Sequence, residues 1–361
     1  MTSVLHVVLP GGIDDPAAPS GGNRYDRRVL TRFQEQKLRS DVREEAVPGA
    51  WPRPAQPDRD RLSRLLTEIP DGATVLFDGL VAGGIPEVLE PHATRLRLVI
   101  LVHLPLSDET GLSPAQAAEL RALEGRALHL AAGVIATSTR AAAHVAAMHG
   151  LPKVHVAPPG VDPATPATGS RTGHRLLCVA SLTPRKGQDL LLTALSRLTD
   201  LSWECTFAGA GTIPPIPAGL AGRVAFPGPL TGAELDAAYT NADLFVLPSR
   251  AETYGMVVTE ALAHALPVVA TEVGGVPEAL GTVTMSDTAH GDPAPAVPPG
   301  LLLPPEDPGA LAAALRGWLT DPDLRTRWRA RARARRETLT GWDQTAERLA
   351  GILRQIEEGT A

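Results

Sequence analysis

The stretch from Asp243 to Glu278 reads DLFVLPSRAETYGMVVTEALAHALPVVATEVGGVPE. Its order of elements decides the fold. Leu244–Leu247 is a short, wholly apolar run that stops at Pro248-Ser249, the pattern of a buried strand. A polar loop carrying Glu252 follows. A helix opens near Gly255, with Glu260 about one turn inside it, and Pro267–Thr271 reads as the next strand. The first backbone N–H groups of a helix have no partner within it. Those of Thr253, Tyr254 and Gly255 are therefore placed to meet a phosphate or a sugar hydroxyl. Glu252 and Glu260 repel phosphate, but each can accept hydrogen bonds from hydroxyls. Taken alone, the two carboxylates read as a helix cap and a surface residue.

The same alternation continues outward. Arg175–Ala180, Trp203–Ala208 and Val224–Phe226 read as strands in the second half; Val4–Leu9, Thr74–Phe77, Leu96–Val102 and Gly133–Thr137 do so in the first. Amphipathic stretches such as Arg61–Ile69, Pro114–Leu130 and Gln188–Leu198 lie between them. Continuous apolar strands separated by helices predict an α/β fold with parallel sheets covered on both faces. With 361 residues, 43% of them hydrophobic, each half can bury its own core. Ala157–Gly173, rich in Pro, Gly and Thr, is the expected linker, between domains at 1–160 and 170–340. Gly291–Gly300 (GDPAPAVPPG) reads as an exposed loop. The arginine run from Arg325 to Arg336 lies in a helical region, Leu311–Ile356, and reads as a solvated face.

Composition excludes several functions. A net charge of −6 offers nothing to nucleic acid. MTSVLHVVLPGG lacks a basic segment and a long apolar core, so it reads as a first strand and not as a leader. No apolar stretch reaches the roughly 18 residues of a membrane helix, and the arginine run allows at most peripheral membrane contact. Cys178 and Cys205 fall in apolar strands, as buried reduced thiols would, which fits a cytoplasmic protein. No set of His, Cys and carboxylates stands at metal-ligand spacing, so no metal and no other cofactor is expected.

The segment 243–278 resembles glycosyltransferase family 4 (GT4), whose members have the GT-B fold. Pro-Ser, Glu, Tyr-Gly, Glu-Ala, Pro-Val-Val-Ala-Thr and Gly-Gly-x-Pro-Glu occur here in that family's order and spacing, with Glu252 and Glu260 as its Glu-x7-Glu pair. The likeness is strong from Leu176 to about Arg325 and weaker in the first half. It implies two Rossmann-like, doubly wound domains facing a cleft, and a retaining transferase that uses a nucleotide-sugar donor. It implies that Glu252 holds the donor sugar, that Glu260 holds the ribose, and that the backbone at Thr253–Gly255 meets sugar and phosphate. In CVASLTPRKG, residues 178–187, Lys186 matches the lysine that neutralises the donor pyrophosphate. Ser181 stands where the family commonly has an arginine; Arg185 is the candidate substitute.

The loop PGGIDDPAAPSGGN, residues 10–23, carries Gly21-Gly22 where the family has a glycine pair. Glycines there let backbone approach a phosphate or a sugar. Asp14 and Asp15 are either acceptor contacts or solvated. His103, after the strand 96–102, resembles a cleft-facing histidine that orients sugar or acceptor. Asp78, after the strand 74–77, is a further acceptor-side candidate. The segment from Trp342 resembles a last helix, 342–361, that returns to the first domain. Ala265 stands where the family usually has glycine, at a helix end whose left-handed cap alanine would strain. The acceptor is a small molecule, glycan or lipid. Two other readings remain: a nucleotide-sugar epimerase of similar shell, and a nucleotide-sugar-binding protein without turnover. A dinucleotide-dependent dehydrogenase is disfavoured, because the first strand is not followed by G-x-G-x-x-G.

Overall fold

A computed structural model describes residues 4–15, 20–39, 41–284 and 295–359. The chain divides into two compact units, residues 1–160 with 342–361, and residues 161–341. Among the described residues each unit holds one six-stranded, wholly parallel sheet.

In the first unit the strands are β1 (Leu5–Pro10), β2 (Val42–Val47), β3 (Thr74–Asp78), β4 (Arg97–Val102), β5 (Gly133–Ala136) and β6 (His155–Val156), in the order β2-β1-β3-β4-β5-β6. In the second they are β7 (Arg175–Val179), β8 (Glu204–Ala208), β9 (Val224–Gly228), β10 (Leu244–Leu247), β11 (Val268–Thr271) and β12 (Gly300–Leu303), in the order β12-β11-β10-β7-β8-β9. Every residue of β1, β3, β10 and β11 is buried. Central strands covered on both faces account for their unbroken apolar sequences. In each unit the strand order reverses beside the first strand, β1 or β7, the place where doubly wound sheets bind ligands.

β2, β6 and β12 were not evident in the sequence. β2 reads VREEAV and lies at an edge, mostly exposed, so its charges hide it. β6 is two residues long. Gly300, expected in a loop, is buried at the start of β12; a side chain there would meet the Val268 carbonyl at 1.8 Å. Val297 pairs with Val283, while residues 291–294 of the same expected loop lie outside the described residues.

The chain passes from the first unit to the second at 160–161, within the expected linker, and beyond Gly160 the stretch is bound into the second unit. Ala167 N–H donates to the His264 carbonyl at 2.7 Å, Ser170 Oγ to Asp243 at 2.7 Å, and the Gly173 carbonyl accepts from Trp318 Nε1 at 2.7 Å. The arginine run is not a plain solvated face. On the helix Pro322–Arg336, Arg325 donates to the carbonyls of Trp318 and Leu319, and Arg329 to that of Ser170. Arg335 donates to the Leu280 carbonyl, and Arg336 to those of Ala263 and Ala164. These arginines satisfy carbonyls that segment ends leave open. The helix Trp342–Glu357 packs on the helix Gly21–Glu35, with Trp342 buried and its ring 5.8 Å from that of Tyr25.

The helix Met256–Ala263 ends as the alanine at 265 suggested. Ala265 has φ 57°, with its N–H on the Leu262 carbonyl at 2.8 Å and that of Leu266 on the Ala261 carbonyl at 2.9 Å. This is a left-handed Schellman cap built on a residue with a Cβ. Ala265→Gly should therefore stabilise the second unit by about 1 kcal/mol. Urea unfolding followed by tryptophan fluorescence checks this, and a lowered midpoint would refute it.

Candidate functional site

In the second unit the site forms where the loops after β7, β10 and β11 meet. The loop after β7 turns through Pro184–Lys186 and reverses at Gly187, φ 68°, before the helix Gln188–Leu195. A side chain at Gly187 would meet the Pro248 carbonyl at 2.1 Å, so only glycine lets this loop lie on the one after β10. Gly274, φ 45°, performs the same service on the other side: a Cβ there would sit 1.5 Å from the Glu252 carbonyl. The Gly-Gly of the sequence pattern is thus a packing requirement of the loop that carries Glu252.

Lys186 and Glu252 come together. Nζ donates to Oε1 at 2.6 Å, and Ser249 Oγ donates to the same oxygen at 2.8 Å. The Lys186 side chain is 15% exposed and that of Glu252 7%. Lys186 is thus mostly covered, with its ammonium held against Glu252. Glu252 does not cap the helix Met256–Ala263; Gly255, φ 92°, occupies the cap. Arg185 reaches the same stretch, donating from Nη1 to the Ala251 carbonyl at 3.3 Å. Two adjacent cations therefore converge on residues 251–252. Ser181, between them and β7, accepts Gln188 Nε2 on its carbonyl at 2.9 Å. Tyr254 and Gly255 are buried and Tyr254 belongs to the apolar core, so at this position only backbone is open to a ligand role; Thr253 is half-buried.

Glu260 is half-buried and accepts from Tyr239 Oη at 3.0 Å, on a ring stacked 5.0 Å from His264. It is neither a plain surface residue nor far from the loops, since its helix starts at Gly255. Two side chains of this assembly gave no signal in the sequence. Tyr239 lies 21 residues before Glu260. Arg250 clamps Asp189 with both Nη atoms, at 2.8 and 2.7 Å, and donates to the Pro184 carbonyl at 2.6 Å. That clamp ties the loop after β10 to the one holding Lys186, and its hydrogen bonds hold the Asp189 carboxyl below its usual range.

In the first unit Asp78 ends β3, His103 follows β4, and Gly21-Gly22 open a helix behind β1. Gly22 has a reason the sequence did not show: a Cβ there would meet His103 Cδ2 at 3.0 Å. The ring of His103 lies 5.3 Å from that of Tyr25, edge to face. Its Nε2 is 2.9 Å from Oδ1 of Asp26, a residue the sequence reading passed over. Asp78 Oδ1 accepts the Leu80 N–H at 2.7 Å. Among the described residues, Asp26, Asp78 and His103 form one converging group, with an atom of each within 4.8 Å of the others. Spacing in the sequence had shown no such group, because its members come from three elements. With Nε2 committed to Asp26, the geometry is that of an ion pair. Asp14 is bound to Arg27 by two bonds of 2.6 Å while its side chain stays 67% exposed, and residues 16–19 of the same loop lie outside the described residues. Cys178 and Cys205 are buried free thiols, and burial pushes Cys178 up to about 12.

Two family models match the chain: "Glycosyltransferase Family 4" over residues 22–165 and "Glycosyl transferases group 1" over residues 173–321. A D-inositol 3-phosphate glycosyltransferase of Kineococcus radiotolerans is 36% identical over 58% of this chain and 53% of its own. A GDP-mannose-dependent alpha-(1-6)-phosphatidylinositol monomannoside mannosyltransferase of Mycolicibacterium smegmatis is 31% identical over 51% of this chain and 55% of its own. The chain thus spans about half the length of these relatives. Among solved structures, sucrose-phosphate synthase of Thermosynechococcus elongatus has TM-score 0.72, 19% identity and coverage of 99% of this chain and 100% of that one. An Anabaena protein, Alr3699/HepE in complex with UDP-glucose, has TM-score 0.69, 18% identity and coverage of 98% and 100%. At such identities these structures share the fold. No helix among the described residues is long and apolar enough to cross a membrane.

Proposed function

Because the chain belongs to glycosyltransferase family 4, we propose that it transfers a hexose from a UDP- or GDP-linked sugar to an acceptor hydroxyl with retention of configuration. The observation that carries this reading is the Lys186–Glu252 pair at 2.6 Å. A cation suited to a diphosphate stands beside a carboxylate suited to sugar hydroxyls, at the ends of two adjacent strands. As the glycosidic bond breaks, charge grows on the diphosphate, and Lys186 with Arg185 and the backbone at 253–255 supplies the opposite charge. This scheme needs no resident metal. Glu252 holds the sugar, Glu260 the ribose, and the acceptor's proton passes to a phosphate oxygen of the leaving diphosphate.

The relatives' names put a phosphorylated inositol or an inositol lipid first among acceptors to try. We place the protein in the cytoplasm, where Cys178 and Cys205 would stay reduced. The test is a thermal-shift and turnover panel with UDP-glucose and GDP-mannose, with and without inositol 3-phosphate. A donor at 100 times its Kd should stabilise the protein by roughly 2.7 kcal/mol. If no nucleotide sugar shifts the melting curve or releases nucleotide, the reading fails.

The two carboxylates should separate by ligand. Glu260→Gln should weaken free UDP or GDP and the intact donor alike, by about tenfold for the loss of a charged hydrogen bond. Glu252→Gln should weaken the intact donor or slow turnover while nucleotide affinity stays nearly unchanged. Calorimetry decides, and equal losses of nucleotide affinity would overturn the division.

A further inference from the structure

Asp26 and Asp78 are each 5% exposed, and both line a mostly apolar cavity of about 10 Å³, which has room for one water at most. Two carboxylates so placed repel, and one imidazolium offsets only one of them. Asp26 Oδ2 is buried and finds no donor among the described residues if both carboxyls are ionised. Burial and the Asp26 charge raise Asp78 to about 6, so it is largely ionised at neutral pH and the group calls for a cation beside it. That cation is His103, whose Nε2 lies 2.9 Å from Asp26 Oδ1.

We propose that Asp26 is a positioning residue that, with Asp78, holds His103 as a fixed cation, so that the ring gives a charge-assisted hydrogen bond to a substrate oxygen and does not act as a general base. The ring has little freedom. Gly22 leaves just the space it fills, Tyr25 meets its edge, and Asp26 fixes Nε2. Nδ1–H is then the group left for a substrate. The titratable groups facing the ring are Asp26 and Tyr25 on the helix Gly21–Glu35 and Asp78 at the end of β3. Tyr25 donates to the Ala157 carbonyl at 3.0 Å, and burial pushes its phenol far up, so it stays neutral. Burial alone would lower the His103 pKa. The charge and hydrogen bond of Asp26 and the charge of Asp78 outweigh it and hold the ring up to about 9. Burial and the Asp26 charge push Asp78 up to about 6, which still leaves it charged beside the ring at neutral pH.

The ring's role rests on the transferase reading above. With His103 already protonated, the acceptor's O–H proton must go to an oxygen of the leaving diphosphate as the new glycosidic bond forms and the old one breaks. The decisive experiment needs no substrate. In the full-length protein labelled with 15N-histidine, His103 signals are assigned by loss in His103→Gln and followed against pH. The ring should be protonated at about pH 7.5 and titrate near 9 in wild type, and at a lower pH in Asp78→Asn, which loses one of the charges that raise it. In Asp26→Asn its midpoint should fall by about 2 units or more. A neutral wild-type ring at neutral pH overturns the proposal whether or not the protein is a transferase, and whether or not the variants fold. The second readout is kcat/KM against pH with UDP-glucose or GDP-mannose, whichever is turned over. The alkaline limb should lie near 9 in wild type and move down with the ring in Asp26→Asn. A limb that stays put while the ring's titration moves overturns the role in turnover and leaves the transferase reading standing. A protonated ring in a protein that turns over neither donor overturns that reading, and the role with it, but not the clamp.

Discussion

Lys186→Ala is expected to lower kcat on a nucleotide-sugar donor by about 10²–10³, the usual cost of removing one contact to charge that develops in the transition state. The geometry adds a complication. Lys186 is also the cation of Glu252, at 2.6 Å, in a place where the carboxylate is only 7% exposed. Its removal leaves Glu252 with Ser249 Oγ alone, and some stability goes with it, about 1–3 kcal/mol. A double variant separates the two effects. Lys186→Ala with Glu252→Ala removes the uncompensated charge and should recover the melting temperature, but not the rate. If the single variant keeps more than half of wild-type activity, Lys186 is not the diphosphate's partner. If stability and rate return together in the double variant, neither side chain serves the donor.

The fold was legible because its central strands are buried on both faces and so have unbroken apolar sequences. β3, β4, β7, β8, β10 and β11 could be read directly. β2 could not, since an edge strand in VREEAV form carries its charges outward. The assembly around Lys186 and Glu252 was legible as a list of residues because its loops need glycine at fixed places, Gly187 and Gly274, and such needs leave a pattern. That the lysine pairs with the glutamate was not, because they stand 66 residues apart and only the β7–β10 pairing brings them together. Asp26 was hidden for a similar reason. It is one charged residue among several on the helix Gly21–Glu35, and only the packing of that helix on His103, 77 residues on, singles it out. The arginine run misled because composition counts charges but not carbonyls. Four of its seven arginines end on main-chain oxygens.

Asp243→Ala is expected to cost the second unit about 3–5 kcal/mol, the usual loss when one member of a buried charged network is removed. Asp243 is 1% exposed and precedes β10. Oδ2 accepts from Ser170 Oγ at 2.7 Å and the Arg175 N–H at 2.9 Å; Oδ1 accepts from the Ser170 N–H and from Arg329 Nη2 at 3.2 Å. One carboxylate thus ties the stretch after Gly160, the start of β7 and the helix Pro322–Arg336 to the central strand. Alanine would leave buried donors without an acceptor and a half-buried arginine without its counter-charge. The loss should depend on pH in a definite direction. Burial alone would raise the Asp243 pKa, but the Ser170 and Arg175 hydrogen bonds and the Arg175 charge outweigh it, so the folded value lies below the ordinary 3.8. A depressed folded pKa means that the carboxylate's contribution is complete above 3.8 and disappears as pH falls through the lower folded value. Wild type and Asp243→Ala should therefore differ most near neutral pH and converge in acid. Urea unfolding at pH 7 and at about pH 3, followed by the fluorescence of Trp203, Trp318 and Trp328, measures both gaps. A difference below about 1 kcal/mol at neutral pH, or one that does not narrow in acid, would mean that the backbone and apolar packing hold this junction without the carboxylate.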